Sequence, residues 1–143
     1  MELTTFSMIL RFTLQLEDQT AQFYRNLAAE SKFTQARELF AKFAENSDKR
    51  KKELERTARE SVDHSLLEPV SGIFEETYRG CTPDSSATAF ADIVNSARKL
   101  EEGMQKFYVE AGDKIKFVSN VGRLYRRYAQ DRAKALTALQ ALA

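Results

Sequence analysis

Two stretches of this chain, 84 residues apart, carry the same pattern: Leu16-Glu17-Asp18 followed by Phe23-Tyr24, and Leu100-Glu101-Glu102 followed by Phe107-Tyr108. A second pair is offset by 85 residues, Leu39-Phe40-x-x-Phe43-Ala44 against Leu124-Tyr125-x-x-Tyr128-Ala129. In the first pair each glutamate lies on an apolar line with helical spacing. One line is Phe6, Leu10, Thr13, Glu17, Thr20, Tyr24 and Leu27; the other is Phe90, Val94, Ala97, Glu101, Met104, Tyr108 and Ala111. Steps of four and three residues keep such a line on one helix face. The repeat therefore constrains the chain to a duplicated helical hairpin with one carboxylate per half directed inward.

Periodicity predicts four helices, at about 5–31, 34–61, 85–114 and 119–142, in a single domain spanning 1–143. The second should start at Thr34 as N-cap, with Ala36, Leu39/Phe40, Phe43, Ser47, Arg50 and Leu54 inward. Charges dominate it from Asp48 to Glu60, which reads as a solvated face with i,i+4 pairs. The fourth should turn Val121, Leu124/Tyr125, Tyr128, Arg132, Ala135, Leu139 and Leu142 inward. Residues 62–83 contain Pro69, Gly72, Gly80 and Pro83 but also Ile73, Phe74 and Tyr78. This stretch predicts a long crossover, with a short helix near Ser71–Tyr78, joining parallel second and third helices.

Charge and motifs narrow the chemistry. Twenty-two basic and 21 acidic residues leave a net charge of +1, so there is no long-range attraction for nucleic acid or an anionic membrane. The run Lys49-Arg50-Lys51-Lys52 is interleaved with acids on both sides, which argues against nucleic-acid binding, and Arg123, Arg126 and Arg127, which could meet an anion together with Arg132, read in preference as a surface face. The lone Cys81 excludes an intrachain disulfide and a CxxC metal knuckle, and no partner is evident to activate it. His64, the only histidine, falls in the crossover. Tyr24, Tyr108, Tyr125 and Tyr128 read as core residues whose hydroxyls reach partners, in preference to a radical-transfer set. No phosphate loop, HExxH or GxSxG occurs, and no leader or membrane span is expected, which predicts a cytoplasmic protein.

Glu-x5-Phe-Tyr in the first and third helices, each followed by a helix bearing Phe/Tyr-Ala, resembles the ferritin-like superfamily and is most similar to rubrerythrin-type domains. The resemblance implies an all-α fold: a ferritin-like antiparallel four-helix bundle with a long crossover between helices 2 and 3. It also implies two iron or manganese ions, held by one Glu from each of the first and third helices and by Glu-x-x-His from the second and fourth. Glu17 and Glu101 match the first requirement. The Glu-x-x-His positions hold Ser47 and Arg50 in the second helix, and Arg132 and Ala135 in the fourth. Arginine carries a permanent charge and coordinates no cation. Asp48, Asp131 and Glu102 are each displaced by about one residue, or ~100° of helix, from the inward lines.

The expectation is that Arg50 and Arg132 form an internal charge network with Glu17 and Glu101, and that removing one member costs ~3–5 kcal/mol. Three functions from different classes follow. The first is a non-redox bundle with no cofactor that acts as a binding module or by interaction with a protein partner, a second copy in a homodimer being one candidate. The second is an iron- or manganese-dependent oxidoreductase of peroxide-reducing or ferroxidase type, using Glu17 and Glu101. The third is a binder of a small anionic molecule in the former metal pocket.

Overall fold

The computed structural model describes residues 1–30, 34, 36–61, 68–79 and 89–142. Within them lie five helices: α1 Phe6–Ala29, α2 Arg37–Glu60, α3 Glu75–Arg79, α4 Phe90–Lys114 and α5 Ser119–Gln140. The apolar lines read from the sequence are the buried faces of the four long helices. Of their members, only Leu10, Leu39, Phe90 and Leu142 are half-buried rather than buried. No described helix is long and apolar enough to cross a membrane.

Side-chain registers set the helix directions. Lys51 meets Asp18, and Arg25 meets Asp48, so α2 runs opposite to α1. Phe12 packs on Phe107 and Tyr24 bonds Glu101, so α4 also opposes α1. Arg132 meets Glu101 while Tyr125 packs edge-on against Tyr108, which makes α5 antiparallel to α4. Helices α2 and α4 are therefore parallel, so the end of α2 and the start of α4 lie at opposite ends of the bundle. The interior is aromatic, with Tyr24 against Phe40 and Phe43, and Phe107 against Phe12, Tyr78 and Tyr108. Burying rings of this size supplies much of the apolar driving force.

Local signals explain the ends. Thr5 caps α1, its hydroxyl accepting the Met8 amide at 3.1 Å. The start of α2 departs from the expected Thr34 cap: its N-cap is Ala36, which makes no side-chain capping bond. The expected helix over Ser71–Tyr78 is shorter, running Glu75–Arg79. The residues before it are extended and pair with the N-terminus, Leu3 N–H donating to Ile73 O at 2.8 Å and Val70 N–H to Thr4 O at 3.0 Å. Gly72, at φ 88°, takes a left-handed conformation that a helix cannot include, which delays the helix start. The crossover is thus tied to the base of α1 by backbone bonds. The expected start of the third long helix at Asp84–Ser86 lies outside the described residues, and α4 begins at Phe90.

Candidate functional site

Each of the four long helices sends one charged side chain to the middle of the bundle: Glu17 from α1, Arg50 from α2, Glu101 from α4 and Arg132 from α5. Their relative exposures are 0%, 7%, 1% and 1%, so the four form a buried, formally neutral cluster. Arg132 lies between the carboxylates. Its Nη2 donates to Glu17 Oε1 at 2.5 Å, and its Nη1 to Glu101 Oε1 and Oε2 at 2.9 and 3.1 Å. Arg50 Nε donates to Glu17 Oε1 at 3.1 Å, and its Nη2 to Ser47 Oγ at 3.1 Å. A planar guanidinium with several fixed donors suits this task, because it engages two carboxylates at once.

The internal repeat is visible in how the cluster is closed. Tyr24 follows Glu17 by seven residues and Tyr108 follows Glu101 by the same step, yet each tyrosine serves the other half. Tyr24 O–H donates to Glu101 Oε1 at 2.7 Å, and Tyr108 O–H to Glu17 Oε1 at 2.5 Å. The two-fold pattern breaks at the cations. Ser47 and Arg132 occupy equivalent places, as do Arg50 and Ala135, so the arginines sit on non-equivalent positions. Arg132 consequently bridges both acids, while Arg50 reaches only Glu17. Smaller hydroxyls complete the lining, Ser47 Oγ lying 3.1 Å from Thr20 Oγ1. Two buried atoms, Glu17 Oε2 and Arg132 Nε, have no hydrogen-bond partner among the described residues.

Electrostatics follow from this packing. Burial pushes the Glu17 carboxyl up, but Arg132 and Arg50, together with the Tyr108 and Arg132 hydrogen bonds, outweigh it and hold it at about 2, against an ordinary 4.5. For Arg132, burial favours the neutral form, and the opposing charges of Glu101 and Glu17 more than restore the cation. Burial and Glu101 keep Tyr24 protonated well above its ordinary range; burial and Glu17 do the same for Tyr108. The site is therefore a fixed set of ion pairs around neutral pH, with both tyrosines as donors.

All six positions singled out by the resemblance, Glu17, Ser47, Arg50, Glu101, Arg132 and Ala135, are buried in this interior. They do not fit a dinuclear metal centre. Four of them are not ligands, and Arg132 directs its donors at the very oxygens a metal would need. Each of the three possible helper acids lies nearest an arginine instead. Asp48 pairs with Arg25 at 2.8 Å, Glu102 lies 3.9 Å from Arg98, and Asp131 is 37% exposed and 3.8 Å from Arg50. Among the described residues no three His, Cys, Asp or Glu side chains gather to hold an ion. His64 and Cys81 lie outside the described residues.

Toward the surface, Tyr128 departs from the central set, its hydroxyl donating to Glu53 Oε1 at 2.7 Å; Glu53 also pairs with Arg127. The charged half of α2 is more than a solvated face. Lys49 pairs with Glu45 in the i,i+4 manner, but Asp48, Lys51 and Glu53 bridge to neighbouring helices. Between α2 and α5, Lys49, Glu53, Arg127 and Tyr128 border an open groove of about 820 Å³ whose floor includes Arg50, Glu101 and Arg132. Sequence reading missed this groove, because its walls come from helices far apart in the chain. Compared with family models, curated proteins and solved structures, the chain matches none.

Proposed function

We propose that this chain is a ferritin-like, rubrerythrin-like four-helix bundle in which guanidinium groups have taken the place of a dinuclear metal centre, and that it acts as a binding module without redox chemistry. The observation that carries this reading is Arg132, which donates to the two inward carboxylates at 2.5 to 3.1 Å. The parallel disposition of α2 and α4 across a long connection supports the ferritin-like part of the reading. The crossed Tyr24–Glu101 and Tyr108–Glu17 bonds support an origin by duplication. The cluster leaves no oxygen or imidazole donor set for a hard cation.

The test is titration of purified protein with ferrous and manganous ions in a calorimeter, with metal analysis after growth in medium enriched in both. The reading predicts substoichiometric metal and no saturable heat. Two equivalents of tightly held iron or manganese would overturn it.

A further inference from the structure

The groove between α2 and α5 has a polarity that the whole chain lacks. Leaving aside Arg50, Glu101 and Arg132 of the cluster, six cations and two acids line it, in a protein whose net charge is only +1. Two of the cations are engaged, Arg127 with Glu53 and Lys49 with Glu45. Lys42, Lys52 and Lys134 are exposed and have no ion-pair partner among the described residues.

The groove is also amphipathic along its length. Arg50 lies beside Asp131 and Glu53 beside Arg127, an antiparallel register that sets Phe43 opposite Ala138 two turns away. One end is therefore walled by Leu39, Phe43, Ala135 and Ala138, with the exposed Lys42 at its rim, and the other by Lys52, Arg56 and the Arg127–Glu53 pair. At the floor, the buried Arg132 keeps an Nε–H without a partner among the described residues. A volume near 820 Å³ suits a drug-sized molecule. Cations around a partly desolvated cleft attract an anion and hold it more strongly than they would in open water.

We propose that this groove binds a small amphipathic anion, its aromatic or aliphatic body lying between Phe43 and Ala138 and its phosphate or carboxylate meeting Lys52 and Arg56 beside the Arg127–Glu53 pair. The proposal rests on the binding-module reading above and names the class of its ligand.

The test uses 1-naphthyl phosphate as probe, titrated into the full-length chain by calorimetry at low salt, with inorganic phosphate and 1-naphthol as partial mimics. The probe is expected to bind one to one, at least tenfold more tightly than either mimic. The Lys52→Gln/Arg56→Gln variant, altered only at exposed side chains, is expected to lose at least tenfold in affinity. Lys106→Gln/Lys116→Gln, with the same charge change away from the groove, is expected to stay within twofold of the parent. Absence of saturable binding, undiminished binding by the groove variant, or inorganic phosphate binding as tightly as the probe would each overturn the proposal. A protein that takes up no metal but fails this titration refutes only the ligand class; one that takes up two metals removes the reading beneath it.

Discussion

Arg132→Met is the most informative perturbation, because it keeps much of the side chain's length while removing the one group that touches both acids. In the parent, Glu17 accepts from Arg50, Arg132 and Tyr108, whereas Glu101 accepts, among the described residues, only from Arg132 and Tyr24. The variant leaves Glu101, 1% exposed, with a single neutral donor and no cation. Stranding a buried charge in this way costs ~3–5 kcal/mol. For a chain of 143 residues each kcal/mol corresponds to about 3 °C, so the midpoint should fall by roughly 10–15 °C at pH 7. Calorimetry and urea unfolding followed by circular dichroism measure both quantities. A pH signature separates this cause from a packing defect. An unpaired buried carboxylate relieves its cost by taking up a proton, so the variant's deficit should shrink between pH 7 and pH 5. A midpoint within about 2 °C of the parent, or a deficit that does not change with pH, would refute the reasoning.

Three further outcomes follow from the same geometry. The Glu17→Gln/Glu101→Gln/Arg132→Met variant removes both charges along with their partner and should regain most of the stability lost by Arg132→Met, since a neutral interior of similar volume replaces ion pairs at little cost; a triple variant less stable than the single one would contradict this. Glu17 sits at about 2 when folded, against 4.5 ordinarily, so its contribution is complete above pH 4.5 and is lost as pH falls toward 2. That contribution amounts to about 3 kcal/mol, and the stability gap between the parent and Glu17→Gln should narrow by this much across that interval in urea titrations. Tyr24→Phe and Tyr108→Phe each delete a hydrogen bond to a buried carboxylate and should each cost about 1.5–3 kcal/mol. A loss below ~0.5 kcal/mol in both, by the same unfolding assay, would show that the hydroxyls do not stabilise the acids.

Much of this architecture is legible in the sequence because a helix repeats its environment every three or four residues. Glu17, Arg50, Glu101 and Arg132 stand out as the charged residues on lines of apolar and small hydroxyl side chains, and all four are buried together. The duplication made the match sharper, since a carboxylate at the same place in two copies needs a common explanation. What escapes such reading is contact between elements. The sequence suggested that Tyr24 and Tyr108 bring their hydroxyls to partners, but spacing alone could not say that each serves the opposite half. Nor could it show that residues 70–75 pair with the first residues of the chain, because backbone bonds leave no side-chain pattern. The start of α2 misled for a related reason: Thr34 is a good capping residue, but Ala36 takes the position without a side-chain bond. The basic groove is likewise a property of two helix faces placed side by side, invisible in a chain whose charges nearly cancel.

The account stands or falls on what lies between the carboxylates of Glu17 and Glu101. Anomalous diffraction at the iron and manganese edges, from crystals of protein grown with both metals in excess, answers this directly. The account predicts no anomalous peak there and clear density for the Arg132 guanidinium within 3.1 Å of both acids. A peak bridging the two carboxylates, with Arg132 turned away from them, would contradict it.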